Sequence, residues 1–323
     1  MCTATNYTAK DHYFGRNLDL EFSYHEAVTI TPRNFPFPFR KAADLTTHYA
    51  MVGMTTVADG YPLYYDATNE KGLSMAGLNF PENADYKAEV AGMDNISPFE
   101  FIPWILGQFE TVAQVREALE KLVLVDISFS AELPLSPLHW IISDREESLT
   151  VESVKDGLKV YDNPVGLLTN NPTFDIQLFN LNNYASVSTA QPENRFSKKL
   201  QLDTYSRGLG AVGLPGDLSS MSRFVKAVFT AENSLSGESE SEAVSQFFHI
   251  LGSVEQQRGC VEVGDRYEIT IYSSCCNTDT GIYYYRTYEN SQLTAVDLHK
   301  VDLDGDSLST YPLVTGQQVR EQN

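Results

Sequence analysis

Apolar residues recur along this chain with two different periods, and the switches between them predict the order of its elements. Short runs rich in β-branched and aromatic residues, Ala27 to Thr31, Ala50 to Val57 and Leu63 to Tyr65, are punctuated by Gly60, Pro62 and Gly72, and Gly72 to Asn79 adds another. From Pro98 to Leu122 the period lengthens. Phe101, Ile105, Leu106 and Phe109 share one helical face, and Val112, Val115, Leu119 and Leu122 share a second. Thr111 with Gln114 gives the second helix a capping box. Strands return at Trp140 to Ile142, Leu149 to Val151 and Val165 to Leu168, and helical spacing at Arg223 to Ala231 and Glu242 to Leu251. Tyr267 to Tyr272, Ile282 to Thr287 and Leu293 to Leu298 close the chain as strands. Strands and helices come in blocks rather than alternating one by one, which argues against a doubly wound parallel sheet. The pattern predicts an α+β fold, two antiparallel sheets sandwiched between helix layers.

Length and composition narrow this reading. The chain has 323 residues, enough for one large domain or two ordinary ones, and shows no internal repeat. Glu232 to Glu242, rich in Ser and Glu, reads as a solvent loop between two helices. The first fifteen residues lack a basic stretch followed by an apolar run, and no segment approaches a membrane span, so a cytoplasmic location is expected. The formal charge of -20 argues against nucleic acid and anionic membranes as partners, because the summed field repels both. An anionic ligand would have to be held by apolar burial and by locally placed arginines.

Several apparent motifs fail. Gly208, Gly210 and Gly213 fit G-x-G-x-x-G, but Pro215 and Gly216 follow where a phosphate-binding helix should begin. Asp302, Asp304 and Asp306 resemble a calcium loop, with Gly305 misplaced and no closing glutamate. Cys260, Cys275 and Cys276 lack metal-ligand spacing, and the six histidines are scattered, so neither a cofactor nor a metal is expected.

Cys2 remains. Removal of Met1 would put a thiol and a free α-amine on one residue, and an α-amine near pKa 7.7 is roughly 15% neutral at pH 7, so it can serve as a base. Phe14-Gly15-Arg16-Asn17-Leu18-Asp19 places a cation and a carboxylate in what should be the next strand of a hairpin. Three residues apart, Arg16 and Asp19 would point to opposite faces of an ideal strand, and converge only if it ends or bulges near Asn17. Taken alone, this segment reads better as an ordinary surface ion pair than as part of a site.

The segments Met1-Cys2-Thr3, Phe14 to Asp19, Asn69 to Leu73, Ala76 to Pro81, Leu168 to Phe174, Leu214 to Asp217 and Ser222 to Phe224 together closely resemble the choloylglycine hydrolase family, in its order and over nearly the whole chain. That resemblance implies an N-terminal nucleophile hydrolase: a single four-layered αββα domain over residues 1–323, with Met1 removed to free Cys2. Within the family it points to bile salt hydrolase activity on glycine- or taurine-conjugated bile salts, with penicillin V acylase activity as the nearest alternative. A noncatalytic acidic binding protein that keeps Met1 is the alternative from another class. The resemblance makes Cys2 the nucleophile, with its amine shuttling the proton, and makes Arg16 and Asp19 the residues that fix and polarise this terminus. It makes Asn170 and the backbone N–H of Asn79 the oxyanion donors, and Arg223 the residue completing the polar site. Leu18, Ala58, Tyr65, Phe129 and Leu133 fall where the family lines its steroid site. Asparagine at position 79 favours bile salts, since the acylases commonly carry tyrosine there. A homotetramer is implied, with Ser186 to Pro215 a candidate assembly segment.

Overall fold

The fold was analysed in a computed structural model that describes residues 1–323. Its first hairpin, β1 (Cys2–Thr8) and β2 (His12–Leu20), is buried along nearly its whole length. Next come β3 (Ala27–Thr31), β4 (Met51–Ala58), β5 (Tyr61–Asn69), β6 (Ser74–Asn79) and the short β7 (Asp94–Ile96). Helices α1 (Phe101–Gln108) and α2 (Val112–Leu119) lead to β8 (Leu122–Leu124), β9 (Leu138–Ser143), β10 (Ser148–Val154), β11 (Gly157–Asp162) and β12 (Leu167–Leu168). Three helices follow, α3 (Phe174–Asn180), α4 (Ser220–Asn233) and α5 (Glu240–Gly252). The chain ends with β13 (Glu262–Val263), β14 (Arg266–Tyr267), β15 (Ile269–Asn277), β16 (Ile282–Thr287), β17 (Asn290–Asp297) and β18 (Ser309–Pro312).

Two large antiparallel sheets carry the fold. One has the order β12-β1-β2-β15-β16-β17, the other β11-β10-β9-β6-β5-β4-β3-β18. They stack face to face, with Ala4, Phe14, Leu18 and Tyr272 from the first meeting Val28, Ile30, Ala76, Leu78 and Ile141 from the second. Helix α1 covers β5 and β6 from outside, while α4 and α5 cover β1, β2, β12 and β15. Each sheet therefore buries both faces, and the expected four-layered αββα sandwich is the architecture found. Burial on both faces is why β2 reads His-Tyr-Phe-Gly-Arg-Asn-Leu-Asp-Leu with no apolar alternation. Gly15 is required there: a Cβ at that position would lie 2.0 Å from the Ser274 carbonyl oxygen of β15.

Several boundaries differ from the sequence expectation. Leu122 continues the apolar spacing of α2, yet it begins β8, which pairs in parallel with β7; parallel pairing here outweighs the helical period. Thr111 does cap α2, accepting from the Gln114 amide at 3.3 Å, but the Gln114 side chain returns to the Glu110 N–H and leaves the box unclosed. The Ser/Glu-rich segment is shorter as a loop than its composition suggests. Helix α4 runs to Asn233 and α5 starts at Glu240, where Ser239 and Glu242 close a true capping box. Only Leu167 and Leu168 of the Val165 to Leu168 run pair as a strand. In the opposite sense β15 extends through Ser273, Ser274 and Cys275 to Asn277, because those polar and small side chains are satisfied inside the sheet.

Candidate active site

Cys2 sits at the edge of the first sheet where the β1–β2 hairpin opens. Its register partner is Leu18, and Ala4 faces Arg16. With a strand period of two, Cys2, Arg16 and Leu18 share the face between the sheets, whereas Thr3, Asn17 and Asp19 face the helix layer. The sequence expectation that Arg16 and Asp19 converge through a break or bulge near Asn17 is not met. Strand β2 runs unbroken, and the nearby irregularity lies in β15, between Thr270 and Tyr272. Arg16 and Asp19 approach the start of β1 from opposite sides of one sheet, and both are fully buried rather than a surface pair.

On the inner side, Arg16 Nη1 donates to the carbonyls of Tyr65 at 2.9 Å and Gly77 at 2.6 Å. The β5–β6 ladder stops at Asp66 and Ala76, one step before these carbonyls, so the guanidinium takes over where the strands splay. Tyr65 is itself the extra residue of a bulge against β4. Arg16 Nη2 is buried without a partner. Burial works against the Arg16 charge, but Cys2, Tyr272, Asp66 and Asp19 more than offset it and hold the guanidinium above its ordinary value. Asp66 accepts from the Tyr272 and Tyr283 hydroxyls, each at 2.7 Å, and burial raises its carboxyl against the pull of Arg16.

On the helix side, Arg223 projects from α4 to the backbone of β1. Its Nη1 donates to the Cys2 carbonyl and to Thr3 Oγ1, both at 2.6 Å, and its Nη2 to Asn170 Oδ1 at 2.7 Å. Asp19 Oδ1 accepts from Thr270 Oγ1 at 2.6 Å, and its Oδ2 lies 3.8 Å from Arg223 Nη1. Burial raises the Asp19 carboxyl and lowers Arg223, each opposed by the other's charge.

Asn170 links these groups. Its Oδ1 accepts from the Cys2 backbone nitrogen at 2.8 Å as well as from Arg223, and two donors on one atom fix the amide orientation. Its Nδ2 therefore points outward, donating to the Asn79 carbonyl at 2.7 Å. The segment is braced behind: Ser220 Oγ accepts from the Asn170 N–H, Gln177 donates to its carbonyl, and His139 Nε2 lies 2.9 Å from the Thr169 carbonyl. Asn171, by contrast, donates to Pro81. At Asn79 the Phe80 N–H donates to Pro137, so antiparallel alternation turns the Asn79 N–H away from β9 towards β5, where pairing has already ended. That leaves it outside the ladder, on the same edge of β6 as the Asn79 carbonyl that Asn170 Nδ2 meets.

Met1 is present, so the Cys2 nitrogen here is a peptide N–H standing where the free amine of a processed chain would be. The Met1 ammonium ion-pairs with Glu268 and donates to the Asp19 carbonyl at 2.6 Å, while the Met1 carbonyl accepts from the Asp19 N–H at 2.8 Å. Glu268 is buried, which raises its carboxyl against the pull of that ammonium.

The five expected pocket residues scatter more widely. Leu18 lies across from Cys2, and Tyr65 sits at the bulge with its hydroxyl 2.9 Å from Thr56 Oγ1. Ala58 ends β4 opposite Tyr61. Leu133 turns back on Ser130 within the 125–137 loop, and the Phe129 ring packs on Tyr61 and Phe99 beneath Arg40. A polar cleft of about 340 Å³ lined by Asn6, His12, Arg145 and Asn163 opens at the far end of β1, away from Cys2. No group of His, Cys, Asp and Glu has metal-holding geometry. Burial pushes the Cys276 thiol up to about 12 and Cys275 well above its ordinary value, so both are poor nucleophiles.

Sequence reasoning missed Glu268, Asp66, Thr3, Thr270 and Ser220. The carboxylates carried a usable signal, because Asp66 and Glu268 interrupt or adjoin apolar strand runs and a carboxylate in such a run requires a partner. Nothing local marks the three hydroxyls.

Comparison with known proteins gives consistent matches over the whole chain. The family model described as linear amide C–N hydrolases, choloylglycine hydrolase family, matches residues 2–311. A bile salt hydrolase/transferase of Lactiplantibacillus plantarum is 62% identical over 314 residues, covering 97% of both chains. One of Clostridium perfringens is 42% identical over 318 residues, covering 96% of both. The crystal structure of a mutant conjugated bile acid hydrolase from Clostridium perfringens superposes with a TM-score of 0.92 at 38% identity, over 100% of each chain. Penicillin V acylase from Agrobacterium tumefaciens shares the fold, with a TM-score of 0.77 at 21% identity over 97% of this chain and 92% of its own.

Proposed function

The chain belongs to the choloylglycine hydrolase family of linear amide C–N hydrolases, and we propose from that membership that it hydrolyses the amide bond of glycine- and taurine-conjugated bile salts. The observation that carries the mechanism is the placement of the Cys2 nitrogen 2.8 Å from Asn170 Oδ1, in a cluster with Arg223 and on the same sheet face as Arg16. Once Met1 is removed, that nitrogen is an α-amine on the same residue as the thiol. It takes the thiol proton, and the Arg16 guanidinium, with Nη2 unpaired, favours the thiolate. The thiolate adds to the scissile carbonyl. Asn170 Nδ2 and the Asn79 N–H receive the oxyanion, the α-ammonium gives its proton to the departing amine, and water then clears the thioester. Arg223 and Asp19 act behind the strand. Arg223 holds the Cys2 carbonyl and the Asn170 amide in place, and Asp19 balances its charge.

For a steroid the protein must supply apolar contact against an unfavourable net charge of -20. We assign this contact to Leu18, opposite Cys2, and Tyr65, at the β5 bulge, with Ala58, Phe129 and Leu133 as its further lining; burial at ~25 cal/mol per Å² offsets screened long-range repulsion. Asparagine at position 79 supports bile salts over penicillin V. We further read the chain as a single domain over 1–323 that works in the cytoplasm; no helix is long and apolar enough to cross a membrane. It assembles as a homotetramer through Ser186 to Pro215, where Phe196, Tyr205 and Val212 are largely exposed. Incubation with glycocholate, taurocholate and penicillin V, with released amine quantified, tests the substrate. Release from penicillin V alone would overturn the bile salt assignment.

A further inference from the structure

His139 and Glu152 form a buried polar pair that the chemistry above does not use. Both side chains are fully buried, on strands β9 and β10 of the second sheet, and His139 Nδ1 lies 3.0 Å from Glu152 Oε1. His139 shares with Ile141 the face between the sheets, so the pair reaches the segment that follows β12 of the first sheet. There the other ring nitrogen, Nε2, lies 2.9 Å from the Thr169 carbonyl, and Glu152 Oε1 accepts from the Phe174 N–H at 3.1 Å. One imidazole and one carboxyl group thus tie down both ends of the turn that carries Asn170. The same ring holds the strand that carries the other donor. Asn79 lies between Leu78, the register partner of His139, and Phe80, whose ring stacks on the imidazole at 4.2 Å with 7° between the planes. Each proposed oxyanion donor is therefore one residue from a group in contact with His139, although the two stand 91 positions apart. A carbonyl oxygen only accepts, so Nε2 carries a hydrogen whether the proton shared between Nδ1 and Oε1 rests on the imidazole or on the carboxyl.

We propose that His139, oriented by Glu152, is a positioning residue that sets the spacing between Asn170 Nδ2 and the Asn79 N–H, and so the fit of the two donors to the oxyanion. This rests on the amidase reading above. His139 hydrogen-bonds neither Cys2 nor Asn170; it acts through the backbone on either side of the hole. The two donors count most when the carbonyl oxygen takes up negative charge, so the effect belongs to kcat and not to substrate binding. Ser220 and Gln177 still hold the Asn170 backbone from the helix side, so loss of His139 loosens the hole without dismantling it. Shifting a donor costs less than deleting it, and the loss expected is about tenfold, against about 10²–10³ for removal of a donor.

Two variants of different reach test this in the full-length processed enzyme. The His139→Asn side chain can still donate to Glu152 but ends short of the Thr169 carbonyl, whereas the His139→Gln side chain places its amide nitrogen where Nε2 stands. His139→Asn lowers kcat for glycine release from glycocholate about tenfold with KM within about twofold, and His139→Gln recovers kcat to within about threefold of wild type. Alkylation of Cys2 by iodoacetamide, followed by peptide mass, is measured beside turnover. The thiolate there displaces iodide from a saturated carbon and no oxyanion forms. Its rate stays within about twofold of wild type in both variants, whereas general damage to the site slows alkylation and turnover together. An unchanged kcat, a loss carried by KM, a parallel fall in alkylation, or a His139→Gln variant no better than His139→Asn overturns the proposal. Should His139→Asn fail to fold, Phe80→Leu removes the stacking contact on the Asn79 side and decides alone: kcat falls by about threefold or more with KM and alkylation held, or the proposal fails. Wild-type enzyme that releases amine from neither bile salts nor penicillin V refutes the amidase reading and this assignment with it, whereas wild-type turnover with any of the overturning results refutes the assignment alone.

Discussion

Truncation of Asn170 to alanine separates catalysis from structure, because its two side-chain atoms do different jobs. Nδ2 is the proposed oxyanion donor, and loss of one such donor raises the barrier by on the order of 3–4 kcal/mol, a fall of about 10²–10³ in kcat. Oδ1 instead accepts from the Cys2 nitrogen and from Arg223 Nη2. Deleting it strands two buried donors at about 1–3 kcal/mol each, reduced where water can enter the space vacated. Since Asn170 keeps only 4% of its surface exposed but loses just a short side chain, the lower end of that range is expected, about 2 kcal/mol in total and, at about 2.1 cal/mol/K per residue over 323 residues, a Tm lower by about 3 °C. Asn170→Asp divides the two effects: a carboxylate still accepts from both donors but cannot donate to an oxyanion. Both variants should be tested by steady-state release of glycine from glycocholate and by thermal unfolding. Asn170→Ala loses activity and several degrees of Tm, whereas Asn170→Asp loses activity while keeping most of the Tm. Turnover by either variant within about threefold of wild type would refute the oxyanion assignment.

Further expectations follow from other parts of the molecule. A chain that retains Met1, verified by intact mass, should be inactive towards glycocholate because its Cys2 nitrogen is an amide; full activity in that form would exclude the α-amine as the proton carrier. Gly15→Ala sets a Cβ 2.0 Å from the Ser274 carbonyl oxygen and must push β2 from β15, so soluble yield and Tm should both collapse; a wild-type Tm would contradict the close approach. Burial, aided by Arg145, lowers the His12 pKa from 6.5 to about 4. A depressed folded value means the folded chain binds fewer protons than the unfolded chain between those limits, so this stability is complete above pH 6.5 and lost as pH falls to 4, up to about 3 kcal/mol. Unfolding of His12→Gln across that window should show a shallower acid dependence than wild type, and an unchanged slope would discount the group.

Much of the architecture was legible in local pattern. Helices around Phe101 to Leu119 and Arg223 to Leu251, and strands at Ala27 to Thr31 and Ile282 to Thr287, announce themselves because each pairs its period with burial of a face. Misreadings fell where tertiary pairing overrules local preference. Leu122 has helical spacing but joins β7, and Ser273 to Asn277, beyond the expected Tyr267 to Tyr272 strand, lies in the middle of a sheet whose two faces are both covered.

The chemistry divides along the same line. Sequence alone identified Cys2 as the residue to watch, and the matching segments named Arg16, Asp19, Asn79, Asn170 and Arg223 beside it, because motif order along the chain survives folding. How those residues meet was decided only by the tertiary structure. Asn170 and Arg223 stand 168 and 221 positions from Cys2, and they reach it because β12 pairs with β1 and α4 packs against both. The geometry of Arg16 and Asp19 turned on a whole-sheet property, since a continuous β2 puts them on opposite faces and the site is assembled around the sheet rather than on one side of it. Glu268 was beyond reach of the sequence for the same physical reason: its partner is the other end of the chain, and only the pairing of β2 with β15 brings the two within bonding distance.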